Sequence, residues 1–159
     1  MIATDERSAI RPAGTDDAET VAMLLHDFNT EYGTPTPDVT RLAGRLRRLL
    51  AGDTTLAMLA GAPAVGVALV TLRTNVWYEG LVATLDELYV APGHRSQGLG
   101  GLLLAAVETE VRRRGGAVVE INVDGDDGGA PRFYRRHGYH NTEVGDDVPL
   151  LYFFRELGE

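Results

Sequence analysis

The spacing of apolar and polar positions changes several times along the chain, and each change marks an element. Ser8 to Arg11 is long enough for a short first strand, and Pro12-Ala13-Gly14 breaks it before Thr15. Thr15 reads as a helix N-cap, with Asp16 and Asp17 favouring the positive helix end. Ala18, Val21, Ala22, Leu24, Leu25 and Phe28 then recur at helical spacing and predict a first helix ending near Asn29. The segment NTEYGTPTPD reads as a loop, and Asp38 caps a second amphipathic helix through TRLAGRLRRLLAG.

Beyond residue 53 the pattern shortens to that of strands. TTLAMLA (54–60) and AVGVALVTLR (64–73), separated by Gly61-Ala62-Pro63, predict an antiparallel hairpin. LVATLDELYV (81–90) is the next strand. LLLAAVETEVRRR, within the helix predicted for Leu99 to Arg114, stops at Gly115-Gly116, and AVVEINV (117–123) is a further strand. Strand, helix and strand form a βαβ unit, so strands 81–90 and 117–123 are expected to be parallel. A short helix over APRFYRRHG follows the glycine-rich loop DGDDGG, and YHNTEV and LLYFFREL read as a final strand pair. The order βααβββαβαββ implies one α+β (mixed α/β) domain over residues 1–159. Its sheet is mostly antiparallel with one parallel junction, and helices lie on both faces.

Composition narrows the function classes. The chain has 159 residues, an ordinary apolar fraction of 44% and no cysteine, which removes disulfides, thiolate metal sites and a cysteine nucleophile. Its four histidines (26, 94, 137 and 140) show no metal-ligand spacing, so no metal is expected. A formal charge of −8 argues against nucleic acid as a partner. The absence of a signal-like start or a long apolar window argues against membrane insertion and for the cytoplasm.

The candidate chemistry sits in APGHRSQGLGG (91–101), where glycines crowd the start of a helix. A dinucleotide fingerprint counted from Gly98 fails at Leu103, and a P-loop counted from Gly93 reaches Gly98 but has Leu99 where lysine is required. What remains is Arg95-Ser96-Gln97-Gly98-Leu99-Gly100 between a strand and a helix. Unpaired backbone amides there can hold an anion, and glycines let it approach. A tight connection alone would use the same residues.

In context, LDELYVAPGHRSQGLGGLLL resembles the signature of the GNAT superfamily of acyl-CoA-dependent N-acetyltransferases through Arg95, Gly98 and Gly100. A second match is DDGGAPRFYRRHGY, through Ala130, Phe133, Tyr134, Gly138 and Tyr139. The resemblance implies a GNAT-like fold and acetyl-CoA as co-substrate, with its pyrophosphate on residues 95–100. Pantetheine would lie along backbone groups of Leu88, Tyr89 and Val90, and the Val90 N–H is the oxyanion candidate. Tyr134 would protonate the departing thiolate. Two positions depart from the family pattern: Asp127 stands where many members use asparagine to help hold the coenzyme, and Asn122 where some carry a glutamate base.

Direct transfer needs a base and an acceptor site. Strand alternation places Asp86 and Glu87 on opposite faces; Glu87 is preferred as the base, with Asp86 and Glu120 in reserve. By resemblance, the loop between the first two helices and the last inter-strand loop build the acceptor site, contributing Glu31, Tyr32, Asp146 and Asp147. Asp86 adds negative charge, while Trp77 covers the cleft or, with Tyr78, marks a homodimer contact. These residues suit a small cationic amine such as an aminoglycoside, a polyamine or a lysine-like group. The alternatives are a protein lysine or N-terminus as acceptor, or a coenzyme A-binding regulatory module that lacks turnover.

Overall fold

A computed structural model describes residues 9–125 and 129–158. The chain divides into two compact units, one ending at Ile121 and the other beginning at Asn122.

The N-terminal unit is built on a five-stranded sheet in the order β1-β2-β3-β4-β5. Its strands are β1 (Ile10–Pro12), β2 (Thr55–Ala60), β3 (Gly66–Arg73), β4 (Leu81–Val90) and β5 (Gly116–Ile121). Neighbours β1 to β4 pair antiparallel, and β4 pairs with β5 in parallel. All six residues of β2 are buried, which explains why TLAMLA reads as a continuous apolar run without alternation. Pro12 is tolerated because β1 is an edge strand.

Helices α1 (Ala18–Glu31) and α2 (Val39–Leu50) cover one face. Val21, Ala22 and Leu24 of α1 and Ala43 and Leu46 of α2 pack with Ala57, Leu59, Val67 and Tyr89 of the sheet. Burying a valine or leucine side chain such as Val21 or Leu46 stabilises the fold by about 1.5–3 kcal/mol. Helix α3 (Leu99–Arg113) covers the opposite face with Leu99, Leu103, Leu104, Val107 and Val111. Gly116 lies so close to Val111 that a side chain there has no room, so this glycine sets how tightly α3 returns to β5.

The cap of α2 is as predicted, with the Asp38 carboxylate accepting from the Arg41 N–H at 2.9 Å. The start of α1 differs. Thr15 begins a 3-10 turn over Thr15–Asp17, and no threonine side chain caps the helix. Asp17 instead accepts from the Gly14 N–H at 2.9 Å and from both Arg11 guanidinium nitrogens at 2.7 and 2.9 Å. A carboxylate that can reach back to two donors displaces the weaker hydroxyl cap.

In the C-terminal unit, α4 (Gly129–Arg136) is closed by Gly138 at φ +87°, with the N–H groups of His137 and Tyr139 both donating to the Tyr134 carbonyl. The expected strand pair over 139–144 and 150–157 is not formed. A single antiparallel bridge joins Thr142 and Pro149, and Leu150 N–H donates to Asn141 C=O at 2.7 Å. Pro149 has no N–H to extend the ladder, and the turn at Asp146 uses its carboxylate to accept from Val148 N–H. No helix among the described residues is long and apolar enough to cross a membrane.

The Arg11–Asp17 pair ties β1 to the start of α1 and holds the Asp17 carboxyl down to about 2, chiefly through the Arg11 hydrogen bonds. A depressed carboxylate contributes stability above its unfolded value of 3.8, and that contribution is lost as pH falls toward 2. Because Arg11 is largely exposed, Asp17→Asn is expected to remove only about 0.5–1 kcal/mol. That corresponds to about 1–4 °C in Tm at neutral pH. Thermal melts at pH 7 and pH 2.5 check this: the gap between wild type and variant narrows at the lower pH.

Candidate active site

The candidate site starts from the way β4 loses one of its neighbours. The parallel pairing with β5 runs from Leu81 to Leu85, which sits opposite Ile121, whereas pairing with β3 continues to Val90. The Ala91 N–H donates to Val65 C=O on the β3 side at 2.8 Å. Because antiparallel partners alternate, Tyr89 also turns its backbone groups toward β3, and Leu88 and Val90 turn theirs away. Of the three residues expected to offer backbone groups, Leu88 and Val90 therefore do so at the open edge. Tyr89 is taken up by its ladder partner Val67.

The chain then forms a 3-10 turn at Pro92–His94 and enters α3. Gly98 is the N-cap residue at φ +80°, a left-handed conformation that glycine adopts without strain. No side chain caps the helix, the first helical bond being Leu102 N–H to Gly98 C=O. The N–H groups of Leu99, Gly100 and Gly101 thus stand at the positive end of a 15-residue helix. Space beside Gly98 is open: a Cβ placed there meets nothing within 4 Å. Ser96, at φ +61°, is the only non-glycine among the described residues with positive φ. An exposed helix start with an open glycine suits a pyrophosphate.

The carboxylates of β4 lie differently from the expectation of opposite faces. Pairing with β3 slips between Leu69 and Val70, so that Leu69 faces Glu87, Val70 faces Leu85, and Asp86 is the extra residue of a β-bulge. The bulge resets the alternation and brings both side chains to one side. Asp86 accepts from the Thr71 hydroxyl at 2.6 Å, and Glu87 is opposite Leu69, two residues from Thr71 and on the same face of β3. Leu69 packs against the α1–α2 core, so both carboxylates belong to that face. Loss of hydration raises the Glu87 pKa, and the neighbouring Asp86 charge raises it further. Asp86 is also raised by loss of hydration, against the pull of its Thr71 bond. Among the described residues the Glu87 side chain has no hydrogen-bond or ion-pair partner. Glu120, the reserve base, accepts from Arg73 at 2.9 Å and from Thr84 at 3.1 Å, which leaves its charge matched.

Within the N-terminal unit, Glu31 and Tyr32 lie apart from Trp77. Glu31 closes α1 and is paired with Arg95. Tyr32, the next residue, is 62% exposed, with its ring edge-on to Phe28 at 5.4 Å. Trp77 is not brought to the glycine loop. It stands 86% exposed in the β3–β4 connection, before the start of β4 at Leu81. That start is itself roughly 20 Å from Glu87 along an extended strand. Asn75 fixes the connection by accepting from the Trp77 and Tyr78 N–H groups and donating to Gly80 C=O. In the C-terminal unit the Tyr134 ring packs edge-on to Phe133 at 5.1 Å and to Tyr139 at 5.9 Å. Asp146 and Asp147 line an open depression of about 470 Å³ in the same unit. Asp127 lies outside the described residues. The bulge and the Glu31–Arg95 pair escaped the sequence reading; adjacent acids within an otherwise apolar strand were the available signal for the former.

Fold and loop together define an α+β protein with an uncapped helix start where a parallel strand pair parts. Residues 21–139 match the Acetyltransferase (GNAT) family, and the chain belongs to it. A solved structure from Arthrobacter sp. FB24, ascribed to an acetyltransferase, is 55% identical with a TM-score of 0.89, covering 94% of this chain and 96% of its own. An aminoglycoside acetyltransferase from an uncultured soil metagenomic sample, solved with sisomicin, shares the fold at 20% identity and a TM-score of 0.78, covering 97% and 99%. Aminoalkylphosphonate N-acetyltransferase of Salmonella typhimurium is 31% identical over 84 residues, 53% of this chain. The match spans about half of that relative's length, at 54%.

The bulge geometry makes a direct prediction about titration. Asp86→Asn removes the neighbouring negative charge, so the Glu87 carboxyl titrates at lower pH than in wild type. Carbon-detected NMR of the side-chain carboxyl groups across a pH series measures the change, and an unaltered Glu87 midpoint contradicts the shared face.

Proposed function

We propose that this chain is an N-acetyltransferase that moves an acetyl group from acetyl-CoA to a primary amine on a small cationic molecule, within a single ternary complex. The observation that carries the reading is the uncapped start of α3 at Gly98, reached directly from the β4 edge that has parted from β5. Backbone amides of Gln97 to Gly100 are proposed to hold the pyrophosphate, and the Leu88 and Val90 edge the pantetheine arm. Acetyl-CoA supplies the activated thioester.

Glu87 is the proposed base. Its raised pKa lets it take a proton from an ammonium group more readily than an ordinary carboxylate does, and its side chain has no competing partner among the described residues. The freed amine nitrogen attacks the acetyl carbonyl carbon, forming the C–N bond while the carbonyl oxygen takes up negative charge beside the Val90 N–H. As the C–S bond breaks, Tyr134, assigned by its place in the family motif, gives the thiolate its proton. The nitrogen's remaining excess proton passes to solvent.

The acceptor class follows from charge. Asp86 and Glu87 share one side of β4, and among the described residues the hydrogen-bond partner of Asp86 is a neutral hydroxyl. A cationic amine is attracted there, whereas the phosphonate of an aminoalkylphosphonate is repelled. Aminoglycosides, polyamines and lysine-like amines remain the proposed acceptors.

Three variants test the reading against a panel of such amines. Gly98→Glu places a carboxylate at the phosphate position and is expected to weaken acetyl-CoA binding by about tenfold or more in calorimetry. Tyr134→Phe is expected to lower kcat on the order of a hundredfold with little change in acetyl-CoA affinity. Wild-type kcat/KM falls as pH drops below the raised Glu87 pKa, because the base becomes protonated, and Glu87→Gln removes that acid limb. Coenzyme binding without transfer to any amine favours the regulatory module instead.

A further inference from the structure

The geometry points to Glu31 as a positioning residue that holds the coenzyme loop through Arg95, rather than as a carboxylate that receives the acceptor amine. The inference rests on the coenzyme reading above for its effect on binding, and on the geometry alone for its effect on the loop.

The Arg95 guanidinium meets Glu31 in a two-pronged pair, Nη1 to Oε1 at 2.7 Å and Nη2 to Oε2 at 2.8 Å. Its third edge is also occupied, with Nε donating to the Val90 carbonyl at 2.9 Å. The planar group lies 5.7 Å from the centre of the Tyr89 ring, which stacks on Phe28 of α1 at 5.1 Å and 20°. One side chain therefore ties together the end of α1, the open end of β4 and the glycine loop. Both Glu31 oxygens are engaged, and hydrogen bonds from Arg95 hold its pKa below the usual carboxylate range. Its charge is matched within the protein, which leaves little to attract an ammonium group.

This tie sits immediately before two left-handed residues, Ser96 at φ +61° and Gly98 at φ +80°, in a loop otherwise exposed to solvent. At Ser96, which is not glycine, such a backbone persists when its surroundings over-determine it. Arg95, fixed on three edges, supplies the anchor directly ahead of the first of these residues. The Val90 contact has a further effect. With its carbonyl bonded to Arg95, the Val90 peptide is held in one orientation at the edge where its N–H is proposed to act.

Glu31→Gln and Glu31→Ala are compared with wild type and Arg95→Gln, after thermal melts confirm folding. Without ligand, backbone order parameters from 15N relaxation at Ser96 to Gly98 are expected to fall in the Glu31 variants; unchanged order there overturns the inference even if the protein proves not to bind acetyl-CoA. With ligand, calorimetry is expected to show acetyl-CoA binding weakened about three- to tenfold, while acceptor KM at saturating acetyl-CoA changes less than about twofold. The double variant Glu31→Gln/Arg95→Gln should bind acetyl-CoA no more weakly than Arg95→Gln alone, since one interaction is lost in both. A raised acceptor KM with unaltered acetyl-CoA affinity overturns the proposal in favour of an acceptor contact. Tighter acetyl-CoA binding in Glu31→Ala also overturns it, because Glu31 would then be competing with phosphate for Arg95.

Discussion

The arrangement of this protein depends on β4 having two neighbours along its first half and one along its second. Parallel pairing with β5 ends at Leu85, whereas antiparallel pairing with β3 continues to Val90. Backbone polar groups left without a strand partner must be met by water, by side chains or by a ligand. The chain places its response at that same edge: an arginine bonds one exposed carbonyl, and an uncapped helix begins a few residues later. The sheet, the loop and the helix start thus act as one device, and the rest of the N-terminal unit keeps it in place.

Charge is separated along this strand. At the end of β4 the field is positive, from the helix dipole and the open amides. At the bulge it is negative, from Asp86 and Glu87. The proposed donor carries phosphates and the proposed acceptor an ammonium group, and each is matched to a different point along the same strand. Arg95 does not add a free positive charge to the loop, because Glu31 matches it. Backbone amides therefore carry the anion recognition in the proposed site, while the ion pair shapes the loop that presents them.

Much of this was legible in the chain itself. Periodicity located β4 to the residue, and Gly98 marked the turn into α3 because no other residue takes φ +80° without strain. What escaped the reading depends on events beyond local sequence. A β-bulge is set by register against β3, so simple alternation put Asp86 and Glu87 on opposite faces when they share one. The Glu31–Arg95 pair joins residues 64 positions apart, and no local pattern announces such a contact. The last expected strands failed for a local reason that was visible: Pro149 cannot donate to a ladder. Trp77 stands before the start of β4, away from the glycine loop at its other end, and that separation is a matter of topology.

The open edge of β4 and the start of α3 are proposed to receive one ligand, acetyl-CoA. Hydrogen exchange of the backbone amides, measured residue by residue with and without acetyl-CoA, tests it most directly. Leu88, Val90 and the amides from Gln97 to Gly100 are expected to become protected together on binding, while Tyr89, already bonded across the ladder, changes little. Binding that leaves those amides unprotected, or that protects the Trp77 loop instead, would contradict it.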